Sequence, residues 1–522
     1  MPHFAWYHPM GWLLGILVCS ILLVLLRPRL SRPRFAVVNR YRWDWFQTKA
    51  KNEFTTRAQE LIDTGLRHSA VFEMETNMGA RIVISDKFAD AVGACDQLDQ
   101  HKGITPVNLV ELIGFETMFP GSLHNHILRP AATAISKRLV HLTQPFSHET
   151  TDFLNREWGN SEEWREIAVL PMARLLTTQL TSRAFVGPRL CRDLEWLQIA
   201  TTYASNRLTA LTAVHKWPKL LHPLVHWFIP SCRKLRAQIQ LARELLQPEL
   251  ERLKGQGKLD NEDLTSLAWI HHQVDGYTYD AGLVQLRLTA VVNHTTSDML
   301  MKVLFRICEN PELIPPLRKE IITTVRDGLR VTSLHKMWLL ESVMKESQRL
   351  EPFFLLSMFR YATGPVTLPD GTIIPQGTLT SVANPSRLDP KIYPDPDTFD
   401  GYRFVKMRAD ASQAPLAPFS KTNHTHLAFG HGKQACPGRF IAINEVKLAL
   451  CHILLKYDID LVDGCDSQLI RTGMVTVRNP TAKIRVRRRQ EDQDAELARS
   501  VRDDDHAEPL FIIAGAIPLG RE

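Results

Sequence analysis

The residues with the clearest potential for chemistry lie in one glycine-rich stretch, which reads Phe429-Gly430-His431-Gly432-Lys433-Gln434-Ala435-Cys436-Pro437-Gly438-Arg439. Glycines permit the tight turns and close backbone approach that a shielded loop needs, and Pro437 suits the first turn of a following helix. A cysteine just before a helix has a lowered thiol pKa, and the thiolate is the form that binds metal ions. The stretch therefore predicts a loop that holds a metal ion through Cys436. The alternative is a buried cysteine in a glycine-rich turn.

A second candidate is a run of polar residues, 293–297, inside an apolar stretch, 281–307, that is expected to form a long buried helix. Buried polar side chains need a hydrogen-bonding partner or a function. A threonine hydroxyl can bond back to the helix or to a ligand, and a histidine titrates near neutral pH and can shuttle protons. Thr295 is therefore a candidate for contact with a ligand, and His294 for proton transfer. The alternative for His294 is a hydrogen bond within the core.

Glu346 and Arg349 form a third candidate, three residues apart in the predicted helix 333–350. That spacing places both side chains on one helical face. Alone, it usually reflects a solvated ion pair, so its value lies in its position ahead of the cysteine loop.

Together these segments resemble the cytochrome P450 family. Phe429, Gly432, Cys436 and Gly438 match every fixed position of the family's haem-binding signature, F-x-x-G-x-x-x-C-x-G. The resemblance covers roughly residues 30–487. It implies a mainly α cytochrome P450 fold with a small β-rich portion, and haem b whose iron is bound by the thiolate of Cys436. It also implies O2 as co-substrate and NADPH as electron source through a P450 reductase.

The resemblance assigns roles to the other two candidates. Thr295 matches the key threonine of the oxygen-activation segment, whereas His294 replaces its usual acid and Val292 its usual glycine. In the family, the residues equivalent to Glu346 and Arg349 lock onto an arginine further along the chain. Here Arg403 is the candidate, and the expected role of all three is structural.

The haem propionates are expected to bind Arg129 and Arg360. The usual W-x-x-x-R motif lacks its tryptophan here, and His126 stands near Arg129. Two residues before Cys436, Gln434 replaces the usual arginine or histidine, so a charge-assisted hydrogen bond is missing. Lys433 and Arg439 are expected to help form the docking patch for the reductase.

The sequence of the cysteine loop and the His-Thr-Thr-Ser segment at 294–297 are most similar to fungal secondary-metabolism members of the family. These include ent-kaurene-oxidase-like and indole-diterpene monooxygenases. The branch predicts a lipophilic terpenoid or meroterpenoid substrate, with a polyketide as the alternative. Val292 and His294 motivate a rival function, a haem-thiolate isomerase or a peroxide-driven enzyme that needs no reductase. A catalytically silent haem-binding membrane protein is a further alternative.

The surrounding elements predict one large helical domain. A β-hairpin is expected from Val71–Thr76 and 81–85, and mostly helix from about 87 to 350. Short strands and proline-rich loops follow, and a final helix is predicted over 437–456.

Three parts are expected along the chain: a membrane anchor over 1–30, a haem domain over 31–489 and an acidic, disordered tail over 490–522. The uncharged run 10–26 is just long enough to span a bilayer. Arginines follow it, which predicts an endoplasmic reticulum protein whose catalytic domain faces the cytoplasm. A cleaved signal peptide fits less well because the charges follow the apolar run.

The overall composition narrows the functional classes. A net charge of +7 without a basic stripe gives no support to nucleic-acid binding. Eight cysteines without a C-x-x-C pair argue against a zinc site and against a disulfide framework.

Overall fold

A computed structural model describes residues 35–41, 44, 47–104, 109–116, 127–255, 265–273, 279–326 and 328–489. The predicted anchor and the predicted acidic tail both lie outside these residues. Within the described ranges, no helix has both the length and the apolar character needed to cross a bilayer.

Helices make up most of the described chain. They are α1 (Thr48–His68), α2 (Ala89–Ala94), α3 (Gln100–Ile104), α4 (Arg129–Lys137), α5 (Leu139–Glu157), α6 (Val169–Phe185), α7 (Leu194–His215), α8 (His222–Val225), α9 (Pro230–Lys254), α10 (Ser266–Gln273), α11 (Ala281–Glu309), α12 (Ile314–Thr324), α13 (Val331–Lys336), α14 (Trp338–Leu350), α15 (Arg403–Ala409) and α16 (Arg439–Lys456).

The 29-residue helix α11 runs through the main apolar core. Asp280 caps its start, because its carboxylate accepts a hydrogen bond from the backbone N–H of Leu283 at 3.0 Å. The helix packs along α6 and also contacts α7, α9, α14 and α16. Most of its side chains are buried on all sides, which explains why the sequence is apolar around the whole helix.

The strands form one larger sheet and three small ones. They are β1 (Ala36–Val37), β2 (Val71–Thr76), β3 (Gly79–Ser85), β4 (Leu98–Asp99), β5 (Arg165–Ala168), β6 (Leu356–Ala362), β7 (Val366–Thr367), β8 (Ile373–Ile374), β9 (Leu379–Ala383), β10 (Tyr457–Leu461), β11 (Leu469–Thr472), β12 (Val475–Arg478) and β13 (Lys483–Arg488). The six-stranded sheet has the order β1-β2-β3-β9-β6-β4. It therefore joins the N-terminal hairpin to strands that follow α14.

The structure confirms the mainly helical architecture and the hairpin, whose second strand begins two residues earlier than expected, at Gly79. The predicted helix 333–350 is wrong as a single element, because the chain breaks at Met337 between α13 and α14. The last helix begins at Arg439 rather than at residue 437. Cys436 therefore lies in the loop, separated from α16 by Pro437 and Gly438.

Candidate functional site

The loop around Cys436 is closed by its own backbone. The N–H of Cys436 donates to the carbonyl of Phe429 at 2.9 Å, and the N–H of Ala435 donates to the carbonyl of Gly432 at 3.0 Å. Gly430 and Gly432 have φ values of +67° and +74°, a left-handed conformation that glycine adopts at little cost. These turns bring the sulfur of Cys436 to the start of α16.

Gly432 also makes the closest contact between the loop and the N-terminal part of the chain. A Cβ atom at Gly432 would lie 2.4 Å from the carbonyl oxygen of Gly93 in α2, so the two backbones touch directly. Two polar contacts flank it: a hydrogen bond between His431 Nε2 and Asp90 Oδ1 at 2.7 Å, and an ion pair between Lys433 and Asp96 at 2.8 Å. The role of α2 was not visible in the sequence, because neither Gly93 nor Asp90 belongs to a recognisable motif.

Gly432→Ala is therefore expected to displace the loop and sharply reduce the haem content of the purified protein. The methyl group would collide with backbone atoms, which cannot move aside as a flexible side chain can. The matched control is Gly371→Ala, since Gly371 also has a positive φ, +85°, but no atom lies within 4 Å of its added Cβ. The control should lose only about 1–2 kcal/mol, the usual cost of a left-handed non-glycine residue. Equal haem content in the two variants would contradict the steric role of Gly432.

The pKa of Cys436 differs from the sequence-based expectation. Burial is the largest influence and raises the pKa of the thiol. Backbone N–H groups of Gly438 and Arg439, and the charges of Arg439 and Arg129, act in the opposite direction without reversing the shift. The protein environment alone thus does not produce a thiolate here. A coordinated metal cation would supply the missing stabilisation, because a coordinating thiol is deprotonated by its metal.

Arg360 lies on β6 and is 2% exposed. Its Nη1 donates to the carbonyl of Phe359 at 2.9 Å, whereas its Nε is buried and meets no hydrogen-bond acceptor within the described part of the chain. Burial lowers the pKa of Arg360 to about 10; nearby Asp99 raises it and Arg129 lowers it. A buried guanidinium with an unused donor is costly unless an anion accompanies it.

Arg129 and Gln434 lie beside the same loop. The Nη2 of Arg129, a half-buried residue at the start of α4, donates to the carbonyl of Lys433. Both polar ends of Gln434 bind backbone: Nε2 donates to Leu98 and Oε1 accepts from Gln100, each at 3.2 Å. Gln434 therefore ties the loop to the chain around β4, which leaves one amide hydrogen for any further partner.

These residues fit the haem that the resemblance implies. Cys436 offers a sulfur ligand, and Arg360, close to Arg129, offers an unused donor of the kind that a propionate accepts. A Cβ at Gly438 would meet no protein atom within 4 Å, so the loop leaves room on this side. Phe429 is half-buried and its ring lies 5.3 Å from that of Phe419, which fixes its position against the core.

The middle of α11 borders an open space. Val291 and Thr295, one turn apart, are exposed, although the helix on both sides is buried. The hydroxyl of Thr295 lies 3.4 Å and 3.2 Å from the carbonyls of Val291 and Val292, so it bonds back to its own helix. Burial and the charge of Arg174 lower the pKa of His294 to about 4. At neutral pH its imidazole is therefore uncharged, unlike the titrating histidine that the sequence predicted.

Glu346 and Arg349 form a bidentate ion pair on α14, with two N–O distances of 2.7 Å, and both side chains are 0% exposed. The Nε of Arg403 lies 2.9 Å from Oε1 of Glu346. Both guanidinium groups also donate to loop carbonyls, which are those of Arg387, Pro394, Asp395, Pro396 and Thr398. The three charged groups thus bind the proline-rich segment to the core helix, as the expected structural role requires.

Comparison with known proteins identifies the relatives of this chain. The family model of cytochrome P450 matches residues 127–486. Cytochrome P450 monooxygenase notH from Aspergillus sp. (strain MF297-2) is 66% identical over 483 residues, 92% of this chain and 96% of that protein. Fumitremorgin C monooxygenase from Neosartorya fischeri is 46% identical over 492 residues, 93% of this chain and 98% of that protein.

Two further comparisons extend this result. Cytochrome P450 monooxygenase roqO from Penicillium rubens is 48% identical over 476 residues, 90% of this chain and 95% of that protein. Among solved structures, retinoic acid bound cyanobacterial CYP120A1 superposes with a TM-score of 0.64 at 18% identity, covering 88% of this chain and all of that one. At that identity the likeness concerns the fold alone.

Proposed function

This chain belongs to the cytochrome P450 family and is a monooxygenase of fungal secondary metabolism, and we propose that its substrate is a lipophilic terpenoid or meroterpenoid intermediate. The family implies a haem with a thiolate ligand and O2 as co-substrate. The observation that carries our assignment of the haem site is the buried Arg360, which has an unused donor and lies close to the Arg129 that contacts the Cys436 loop.

Different residues of the chain have different roles around this site. When bound, a thiolate-ligated haem supplies the activation of O2, since donation from the sulfur favours O–O cleavage. Cys436 holds the iron from the loop, and Arg129 and Arg360 orient the propionates. Thr295 passes a proton from its Oγ1 toward the open space beside α11. His294 is uncharged at neutral pH, so we do not assign it the role of an acid.

Apolar side chains support the proposed substrate class. Val291 is 59% exposed on α11 and Phe354 is 41% exposed in the segment that follows α14. Phe353 and Phe359 contact Phe354 edge to face, and Phe354 bridges to Val475 at the start of β12. The three phenylalanines form an aromatic cluster, and Val291 adds an exposed apolar side chain on α11; both are suited to contact a large lipophilic molecule.

Ligand binding tests the substrate class without turnover. A panel of terpenoids, meroterpenoids and polyketides, with fumitremorgin C included because one relative is named for it, would be titrated against the ferric protein. Displacement of water by a substrate shifts the absorption spectrum of the haem. Product analysis with NADPH and a fungal reductase would follow for each compound that binds. Binding only of polyketides would overturn the terpenoid proposal.

The dependence of product formation on NADPH and a reductase distinguishes a monooxygenase from a peroxide-driven enzyme or an isomerase. We infer that an NADPH-dependent reductase docks on the face that carries Lys433, an exposed residue. Arg439 contributes less than the sequence indicated, because it donates to the carbonyls of Cys436 and Ser420. Product formed only with added peroxide, or a rearranged product with no oxygen added, would favour the peroxide-driven or the isomerase alternative.

We also infer that the haem domain lies against the endoplasmic reticulum membrane. Besides the predicted anchor, the connection between α7 and α9 exposes several large apolar side chains, here called the apolar patch: Trp217, Leu220, Leu221, Leu224, Trp227 and Phe228. Leu220 and Phe228 are 91% and 72% exposed. Such a patch with two tryptophans and nearby lysines suits the interface of a bilayer.

Deleting residues 1–27 is therefore expected to remove the chain from the alkali-resistant membrane fraction but to leave peripheral binding through the apolar patch. Adding Leu220→Asp and Phe228→Asp to the deletion should release most of the protein as soluble holoenzyme. The measurement is sedimentation with vesicles, before and after alkaline carbonate. Full-length protein that carbonate releases would refute the spanning anchor, and unchanged vesicle binding of the double variant would refute the role of the patch.

A further inference from the structure

One face of α11 carries a stripe of polar residues that begins at Thr295 and ends at the C-terminus of the helix. Its members follow one another at intervals of three or four residues, which keeps them on one face: Thr295, Asp298, Lys302, Arg306 and Glu309. From Thr295 to Glu309 the stripe covers about 21 Å at the rise of an α-helix. Charged residues inside such an apolar helix are costly unless they have partners or a task.

The inner part of the stripe is an ion pair. Lys302 Nζ lies 2.6 Å from Oδ2 of Asp298, and the two side chains are only 2% and 5% exposed. Lys302 also donates to the carbonyl of Thr476 on β12 at 2.8 Å. The other carboxylate oxygen of Asp298, Oδ1, is buried and has no hydrogen-bond partner among the residues that the structure describes. Asp298 therefore keeps an acceptor free, one helical turn from Thr295.

The outer part of the stripe reaches the surface through a cluster of ion pairs. Arg478 binds Glu351 at 2.6 Å and also contacts Glu309. Arg306 binds Glu351 at 2.5 Å and Glu309 at 3.0 Å. Arg306 and Glu309 are 21% and 26% exposed, whereas Glu351 is 2% exposed. Carboxylates and guanidinium groups thus extend from the surface to the buried Glu351, whose charge acts on both Asp298 and Lys302.

The charges around Asp298 favour easy exchange of a proton with Lys302. Burial raises the pKa of Asp298 to about 6, and Glu351 adds to the rise while Lys302 and Arg478 oppose it. Burial lowers the pKa of Lys302, against the opposing charges of Asp298 and Glu351. Arg174 on α6 also faces Asp298: burial lowers the pKa of this guanidinium, and the charge of Asp298 opposes that shift. Because the two pKa values approach each other, the neutral and the charged forms of the pair lie closer in free energy.

We propose that Asp298 and Lys302 are the proton-supplying pair of this enzyme, which resupplies Thr295 from the surface at Glu309. The proposal rests on the proposed function of Thr295. It places the acid one turn beyond the position where the resemblance expected it, since His294 occupies that position.

One proton moves from Lys302 through Asp298 to Thr295, and solvent replaces it. The ammonium of Lys302 gives a proton to Oδ2 of Asp298, which leaves a neutral amine and a neutral acid. Asp298 gives its proton to Oγ1 of Thr295 through an ordered water, as Thr295 releases its own proton into the open space beside α11. Lys302 regains a proton from solvent through Glu309 and Glu351. Arg306 and Arg478 keep their protons throughout and only hold the carboxylates in place.

Lys302→Arg is the decisive variant, because arginine keeps the positive charge and the ion pair but does not release a proton. We expect it to lower the product formed per NADPH by about tenfold and to raise hydrogen peroxide correspondingly, below the usual ~10²–10⁴-fold of general acid–base catalysis because solvent replaces part of the supply. Asp298→Asn should behave alike, and Asp298→Glu should restore most of the coupling. A purely structural ion pair predicts the opposite, namely normal coupling in Lys302→Arg.

Two further measurements separate this proposal from the proposed function. Infrared titration of the ferric enzyme should show a protonated carboxyl band that titrates near pH 6 and disappears in Asp298→Asn, with the ligand-binding spectrum and the thermal midpoint near those of the parent. Loss of coupling in Thr295→Ala with normal coupling in both Lys302→Arg and Asp298→Asn would overturn the proton-supplying pair alone. Normal coupling in Thr295→Ala would overturn the role of Thr295 itself, and the pair with it.

Discussion

Cys436→His is expected to abolish the red-shifted absorption that the ferrous carbon monoxide complex of a thiolate-ligated haem shows. Histidine can still bind iron, but it lacks the electron donation of the sulfur, so monooxygenation should fall to the background rate. The structure makes the effect specific, since the turns at Gly430 and Gly432 bring the sulfur of Cys436 to the start of α16. The measurement is a carbon monoxide difference spectrum of the reduced protein together with its haem content.

Two other cysteines serve as controls. Cys451 is fully buried in α16, with a pKa well above the ordinary value because of burial, and Cys465 lies in the loop after β10. Alanine at either position should leave the carbon monoxide band unchanged. A normal band in Cys436→Ala would contradict the assignment of the iron ligand.

Thr295→Ala is expected to bind substrate and take up electrons normally but to release most of them as hydrogen peroxide. Its hydroxyl is bonded only to carbonyls of its own helix and lies on the exposed side of α11, so its removal should not disturb the core. The expected loss of product per NADPH is about 10²-fold, the lower end of the usual range for acid–base groups. The comparison requires NADPH, peroxide and product to be counted in the same reaction.

Neighbouring variants show whether the effect belongs to the hydroxyl. Thr295→Ser keeps the hydroxyl and should retain most of the coupling, which Thr295→Val, of similar shape, should not. His294→Ala should have a smaller effect, because an imidazole with a pKa of about 4 is not protonated to its cationic form at neutral pH. For the same reason the coupling should not change between pH 6 and 8 through His294, in contrast to a histidine of ordinary pKa. Unchanged coupling in Thr295→Ala would favour the peroxide-driven or isomerase alternative.

The sequence predicted the elements that local patterns determine. The hairpin around β2 and β3, the long α11 and the mainly helical class follow from hydrophobic periodicity and turn residues, and the structure confirms them. The break at Met337 was not predictable from periodicity, because α13 and α14 share one apolar pattern. There the contact of Glu320 with the backbone N–H groups of Leu339 and Leu340 fixes a new helix start.

The site was predictable only where residues follow one another in the chain. The loop from Phe429 to Gly438 is contiguous, so its resemblance to the family's haem-binding signature is visible in the sequence. The docking of α2, the backbone partners of Gln434 and the low pKa of His294 all depend on distant segments. Asp298 and Lys302 are an intermediate case: their spacing of four residues in an apolar helix is visible in the sequence, but their burial and their contact with β12 are not.

The pairing of β3 with β9 sets the order in which this chain can fold. Arg81 on β3 binds the carbonyl of Thr380 on β9, a separation of 299 residues. At ribosomal rates of about 5–20 residues per second, β3 waits roughly 15–60 s for its partner to be synthesised. During that interval its free edge is a template for pairing with other chains. The yield of recombinant protein should therefore depend more on the rate of synthesis and on the supply of chaperones than on the stability of the finished fold.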